Sequence, residues 1–491
     1  MTALYTVPQL RKLERLGASL ARQPLMQLAG QAAADWVRSH VPTGNRVLCV
    51  AGPGNNGGDA LVVARLLKAA GYPIDAVLFG EAARLPADAA GALRDWLAAG
   101  GTVVDAIPPG QGWRLVVDGL FGIGLDRELD AHWQGIVAQI NAIDAPKLAL
   151  DVPSGLHAET GAVLGAAVEA RWTVSFIALK TGLLTADGPD HAGEVIAAPL
   201  GFDATTVLPP AGHALHGVDV APLLAPRRRN SHKGRYGSIG VVGGSAGMVG
   251  AVLLAGRAAL KLGAGRVTMG LLDPDAPRVD HVQPELMLRH AEDVLHLDHV
   301  TTLVVGPGLG KSADALHAVE QALARPLPLV LDADALNLVA ARPELATALA
   351  AREADTVLTP HPAEAARLLG CGTADIQRDR VQATRQLAEL FRCHVVLKGC
   401  GSICVSRDGA LRVNTSGNPG LASAGQGDVL SGMVGALLAQ GLAGFDALQL
   451  AVYLHGAAAD KLVQDGVGPV GMTASEVIDA ARDVLRRLSR G

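Results

Sequence analysis

A chain of 491 residues exceeds the length at which one hydrophobic core stops growing, so at least two domains are expected. Its composition, 49% hydrophobic and 18% charged with 59 glycines, suits Ala/Val/Leu helices packed on sheets and excludes a disordered chain. The formal charge of -5 argues against a nucleic-acid partner, and Arg227-Arg228-Arg229 is too short a basic run to reverse that.

The first residues, MTALYTVPQLRKLER, put charges where a signal peptide needs an apolar stretch, and no apolar run reaches membrane-spanning length. A cytoplasmic protein with no membrane partner is the expectation. Five cysteines (Cys49, Cys371, Cys393, Cys400 and Cys404) lack paired CxxC spacing, which predicts small buried residues in a reducing compartment rather than disulfides or a zinc site.

From Arg46 the chain alternates β-rich runs with helical patterns: RVLCVAG, DALVVARLLKAAG, IDAVLFG, RLVVDGLFG and KLALDVPSG. Such alternation predicts βαβ units on a parallel sheet. The pattern dissolves between Thr205 and Asn230, the expected seam, giving domains 1–215 and 216–491. A second alternation follows through YGSIGVVGGS, GRVTMGLL, TTLVVGPG, LPLVLDADAL, DTVLTPH and CHVVLKG, with a hairpin predicted in HVVLKGCGSICVSRDGALRVN. The fold class is therefore α/β in two domains.

In the first half, strand RVLCVAG leads into Gly52-Pro53-Gly54-Asn55-Asn56-Gly57-Gly58-Asp59, with a helix predicted immediately afterwards. Open α/β sheets bind ligands at such a place: glycines let N–H groups approach phosphate, and Asn55, Asn56 and Asp59 offer oxygens. The plainer alternative is a tight turn with Asp59 capping the helix. Asp118 and Asp151 stand at two further strand ends and should gather on the same rim, although either alone could be a turn residue.

In the second half, Asn418 to Gly432 (NPGLASAGQGDVLSG) opens a helical run. Free N–H groups there can stabilise a phosphoryl group in transfer, and Asp428 can take a proton from an attacking hydroxyl; the alternative is an Asp cap on a Gly-rich turn. TTLVVGPGLGKS imitates a Walker A loop, but the residue five before Gly310 is Val305, so a P-loop is rejected and Lys311 is expected in solvent. His361 is expected to contact ligand, with a helix-cap role as its competitor, and His455 is expected to be a satisfied core residue.

GPGNNGGD, VDGLFGIGLDR and LDVPSGL, in that order over roughly the first two hundred residues, resemble the NAD(P)H-hydrate epimerases. The resemblance implies a Rossmann-like three-layer domain. It further implies that Asn55, Asn56, Gly57, Gly58 and Asp59, with Gly122, Ile123, Gly124, Leu125, Asp126, Arg127 and Glu128, hold the substrate. Asp151 would contact the reacting ring, and Asn56, Asp118 and Ser154 would contribute to a potassium site. Ala60 stands where the family often has Gly.

The chain from Ser231 onward resembles the ribokinase-like superfamily and, within it, the NAD(P)H-hydrate dehydratases, through SHKGRYGSIGVVGGSAGMVGAVLLAGRAAL, VGPGLG, LDADALN, LTPHPAEAARLLG, VVLKGCGS and NPGLASAGQGDVLSG. By that resemblance Ala251, Gly308, His361 and Asp428 bind the hydrated dinucleotide. Lys398, Gly399, Cys400, Gly401, Ser402 and Gly427 hold the nucleotide, with ADP as phosphoryl donor and magnesium shielding its charge. The departures are Gln426, where Ser or Thr is commoner, and Pro-Ala-Glu for Pro-Gly-Glu.

These resemblances together imply repair of hydrated NADH and NADPH: epimerisation of the R and S forms, then dehydration of the S form to NAD(P)H with AMP and phosphate released. The expected partners are these small molecules and further copies of the chain as a homo-oligomer. The rivals are a vitamin-precursor kinase, which the fused GPGNNGGD region opposes, and a non-catalytic nucleotide sensor, which retention of Asp151 and Asp428 opposes.

Overall fold

The computed structural model describes residues 2–110 and 112–489. It comprises two compact units, Thr2–His213 and a second from Ala214 onward, and the division falls inside the Pro-rich stretch where the strand–helix alternation lapses.

The first unit is built on a seven-stranded sheet in the order Val103–Val104, Ile74–Leu78, Val47–Ala51, Leu115–Gly119, Lys147–Leu150, Trp172–Phe176 and Glu194–Ala198. Every neighbouring pair is parallel, so both faces need cover. The alternation along Val47–Ala51 supplies it: Val47, Cys49 and Ala51 enter one core with the helices Leu25–His40 and Asn55–Ala69, whereas Leu48 and Val50 enter another with Ala131–Ala142.

Helix Asn55–Ala69 begins five residues earlier than the sequence pattern suggested, with Gly54 as its cap, so Asp59 lies one turn inside rather than at the cap. Close packing is the reason. A Cβ on Gly57 would stand 2.1 Å from the Gly52 carbonyl oxygen, so glycine lets the helix start directly on the loop that precedes it.

In the second unit the strands run in the order Leu411–Asn414, Ile403–Val405, His394–Leu397, Thr356–Leu358, Leu329–Leu331, Thr302–Val305, Ser238–Gly243, Arg266–Leu271 and Met287–His290. The pairs from Met287–His290 to His394–Leu397 are parallel, and the last two pairings are antiparallel, the hairpin region expected from the sequence. Val304 and Val305 point into different cores, one containing Gln426–Ala439 side chains and the other Ala313–Ala324 side chains. All five cysteines are free, but Cys371 and Cys400 are exposed, against the expectation of burial: both sit in turns just outside the elements that bury their neighbours. Among the described residues no helix is long and apolar enough to cross a membrane.

Candidate active sites

In the first unit the carboxyl ends of the parallel strands open onto a cavity of about 1240 Å³, larger than most drug-sized pockets and roomy enough for a dinucleotide. Its lining brings together Asn55, Asn56, Asp59, Gly122 through Arg127 and Asp151. Gly57 and Gly58 are buried in the helix behind the lining, and Glu128 is exposed and outside it.

Asp151 follows strand Lys147–Leu150 with φ 67°, a left-handed backbone that side-chain-bearing residues rarely adopt. Its N–H donates to the Val174 carbonyl at 2.8 Å, and its Oδ1 accepts from the Phe176 N–H at 3.2 Å and from Lys180. Asp59 is buried, and its carboxyl is pushed well above the usual range, first by loss of water and then by Asp151, Glu14 and Asp88. Glu14 is raised for the same first reason, with Asp151 second. Lys180, Glu14 and Arg11 line this cavity too. The sequence reading missed them because no glycine or turn signal marks them; only the topology brings helix Val7–Leu20 and the loop after Trp172–Phe176 to this rim.

Beneath the rim, Asp118 and Ser154 are fully buried and bonded to each other: Ser154 donates Oγ–H to Asp118 Oδ1 at 2.6 Å and its N–H to Oδ2 at 2.9 Å. Asn56 donates Nδ2–H to the Phe121 carbonyl at 2.9 Å, while its Oδ1 is buried without a partner among the described residues. Burial holds the Asp118 carboxyl above its usual range even though Ser154 and the Leu120 N–H oppose the shift. An orphaned amide oxygen beside a buried carboxylate, a hydroxyl and the Phe121 carbonyl is a donor set that fits a weakly hydrated monovalent cation.

In the second unit Asp332, His361 and Lys398 stand just past the carboxyl ends of Leu329–Leu331, Thr356–Leu358 and His394–Leu397. Lys398 Nζ donates to Asp332 Oδ1 at 2.8 Å and lies 3.9 Å from Glu364 Oε2. Burial alone would lower this lysine; Asp332 and Glu364 hold it above its ordinary value. Helix Gln426–Ala439 starts after Gly425 at φ 85°, so Asp428 sits in the first turn and is not its cap. A Cβ on Gly427 would stand only 3.1 Å from Lys398 Nζ; glycine permits this approach. Burial, then Asp332, push the Asp428 carboxyl up to about 7, with Lys398 pulling the other way. Glu364 is also raised to about 7, chiefly by burial.

Gly308 packs against Met248 and Ala251, and its carbonyl accepts from Ser245 Oγ at 3.0 Å, so Ala251 and Gly308 are neighbours. His361 caps helix Pro362–Leu369: Nδ1 accepts the N–H groups of Ala363 and Glu364 at 3.1 and 3.3 Å, and Nε2 lies 3.2 Å from Glu364 Oε1. The turn from Gly399 to Ser402 links Lys398 to strand Ile403–Val405. Lys311 is exposed. His455 is buried as expected but not satisfied, since its Nε2 has no partner among the described residues; burial, then Lys398, lower it to about 4. Asp332 and Glu364 were not singled out from the sequence, although Asp332 obeys the strand-end rule that found Asp118 and Asp151. Among the described residues no three His, Cys, Asp or Glu side chains form a ready metal cage.

A glycine-lined, carboxylate-bearing cavity at the strand ends of the first sheet, and the Asp332, Glu364, Lys398 and Asp428 group past the parallel strands of the second, define a two-domain α/β enzyme for nucleotide-like substrates. The NAD(P)H-hydrate dehydratase family profile matches residues 239–482, and that of the YjeF-related protein N-terminus matches residues 22–182. The chain is 39% identical over 494 residues to the bifunctional NAD(P)H-hydrate repair enzyme Nnr of Coxiella burnetii, covering 98% of this chain and 99% of the relative. It belongs to the bifunctional NAD(P)H-hydrate repair enzyme family. Among solved structures it is similar to the ADP/ATP-dependent NAD(P)H-hydrate dehydratase of Bacillus subtilis co-crystallized with ATP/Mg2+, at 30% identity and TM-score 0.49 over 56% of this chain and 97% of that one. A ribokinase-like superfamily protein of Enterococcus faecalis shares the fold of the second unit, with 23% identity and TM-score 0.50 over 57% of this chain and 98% of that one.

Proposed function

We propose that this chain repairs hydrated NADH and NADPH, with Asp151 serving epimerisation in the first unit and Asp428 serving ADP-dependent dehydration in the second. The observation that carries the reading is the position of Asp428: in the first turn of Gln426–Ala439, beside the Lys398–Asp332 pair, with its carboxyl poised near 7. A general base works best when its pKa lies near the operating pH.

The hydrated ring carbon is a hemiaminal, with its hydroxyl on the carbon next to the ring nitrogen. In the first unit the hydroxyl leaves as water when protonated, pushed by the nitrogen lone pair, and water returns to the other face. Asp151 stands at the cavity wall to exchange the proton. Asn55 through Asp59 and the Gly122–Glu128 loop form the binding side. Asn56, Asp118 and Ser154, with the Phe121 carbonyl, would hold potassium, which supplies positive charge next to the substrate loops.

In the second unit Asp428 takes the hydroxyl proton as the oxygen attacks the terminal phosphoryl group of ADP. Backbone N–H groups at Gly427 and Lys398 with the Gly399–Ser402 turn hold the phosphates. Phosphate is a far better leaving group than hydroxide: nitrogen push expels it, and loss of the neighbouring ring proton restores the double bond. Ala251, Gly308 and His361 complete the dinucleotide side of this site. A cytoplasmic homo-oligomer belongs to the same proposal.

The deciding experiment supplies a mixture of R and S hydrates with ADP and follows recovery of nicotinamide absorbance. Full recovery is expected. Recovery of the S fraction alone, beyond the spontaneous rate, would sink the role of the first unit. No recovery with ADP but full recovery with ATP would overturn the choice of donor.

A further inference from the structure

Lys180 is 1% exposed, and an ammonium so far from water needs a built set of acceptors. It has three: the Phe176 carbonyl at 2.8 Å, Ser175 Oγ at 3.0 Å and Asp151 Oδ1 in a short ion pair. The Phe176 N–H falls on the same Oδ1. Among the described residues no hydrogen bond reaches Asp151 Oδ2, and the residue lines the cavity, so one oxygen is fixed by the protein while the other is left for the substrate. The left-handed backbone of Asp151 points the same way, because strain of that kind persists only where surrounding contacts over-determine it.

Asp59 is the second carboxyl of this wall. It projects from the second turn of Asn55–Ala69 into the same cavity and forms no ion pair among the described residues. The charged groups facing it are Asp151, Glu14 of helix Val7–Leu20 and Asp88 of helix Ala87–Ala98, all acidic; Lys180, Arg11 and Arg15 bear on Glu14. Their field and its burial favour the protonated acid.

We infer that epimerisation uses an acid–carboxylate pair, with Asp59 the catalytic proton donor and Lys180 a positioning residue that fixes Asp151 as the proton acceptor. This deepens the proposed role of Asp151 and rests on it. Asp59 gives its proton to the leaving hydroxyl. The carbon–oxygen bond breaks with its electron pair on the departing water, and the ring-nitrogen lone pair closes the carbon–nitrogen double bond. Water then adds to that carbon, its surplus proton passes to Asp151, and the double-bond pair returns to nitrogen. Return of the proton to Asp59 through solvent in the open cavity completes the cycle. Two neighbouring carboxyls in different surroundings, one among acidic groups and one held by a lysine, are what such a division of labour requires.

The test measures kcat and KM for R/S interconversion, net of the spontaneous rate, in Lys180→Met, Lys180→Arg, Asp59→Asn and Asp151→Asn, each checked for folding by thermal melt. Lys180→Met is expected to lower kcat about 10²-fold with KM little changed, and Lys180→Arg to recover most of the loss. Asp59 acts as the acid, so the wild-type rate should fall as pH rises past its raised titration; Asp59→Asn should lose about 10²-fold and abolish that fall. Wild-type kcat in folded Lys180→Met, or a wild-type pH profile in Asp59→Asn, would overturn the inference. If Lys180→Met does not fold, Asp59→Asn decides by the same criterion. Asp151→Asn separates the levels: its full activity would defeat the underlying reading of the site, whereas its inactivity beside silent Lys180 and Asp59 variants would defeat this inference alone.

Discussion

At the scale of single residues, the chemistry of the second unit depends on how far burial can move a carboxyl without freezing it. Asp428 is raised to about 7 by burial and by Asp332, while Lys398 limits the rise. In its proposed role as base it must be ionised, so the rate of dehydration should climb as pH rises through neutrality and fall about tenfold per unit well below it. Glu364, also near 7 and acting on Asp428, titrates over the same range, so the climb should extend over more than one pH unit. The measurement is kcat/KM for dehydration, which reports the groups of the free enzyme, from pH 5.5 to 8.5. A flat profile over that range would remove Asp428 from the base role.

At the scale of elements, a glycine-rich string opens the helix of the proposed site in both units. In the first unit Asn56 of helix Asn55–Ala69 and Ser154 both donate to the Phe121 carbonyl, and the orphaned Asn56 Oδ1 is the proposed cation position. Exchanging potassium for a bulky organic cation should therefore slow epimerisation, and Asn56→Leu, which removes that oxygen, should abolish the difference between the two salts. An unchanged rate after the exchange would mean that the buried oxygens serve only each other. The strands that form these rims were legible because continuous apolar runs such as VLCVA and LVVDG are buried on both faces and end in glycine or aspartate. Helix starts were less legible: Asn55 and Gln426 open their helices inside glycine-rich strings, where low intrinsic propensity is outweighed by close packing. Lys180 and Glu14 could not be read at all. Each lies in an ordinary Leu-rich or Lys/Arg-flanked context, and only the order of the strands, which local pattern does not encode, brings them to Asp151. His361 was legible as a strand-end residue, yet its cap role follows from Glu364 three positions on, a capping-box spacing present in PHPAE.

At the scale of the whole molecule, each unit has its own buried cores and the two proposed sites belong to different units, so one chemistry is expected to be removable while the other is read as a control. Asp428→Asn makes the sharpest cut, because it takes away the proposed base while keeping the size of the side chain. Loss of a positioned general base costs about 10²–10⁴-fold, so dehydration should collapse. Nucleotide should still bind, since Lys398, the turn to Ser402 and the Gly427 backbone are untouched and Lys398 keeps its bond to Asp332. Removing a carboxylate from around bound phosphates relieves repulsion, which favours undiminished ADP affinity. Epimerisation should persist at the wild-type rate, because Asp151, Lys180 and Asp59 belong to the first unit, whose seven-stranded sheet ends in chain order with Glu194–Ala198. Both activities and ADP binding are to be measured on one preparation, with a thermal melt to establish folding. Near-normal dehydration in the folded variant would refute Asp428 as the base, and a parallel loss of epimerisation would show that the two sites do not work independently.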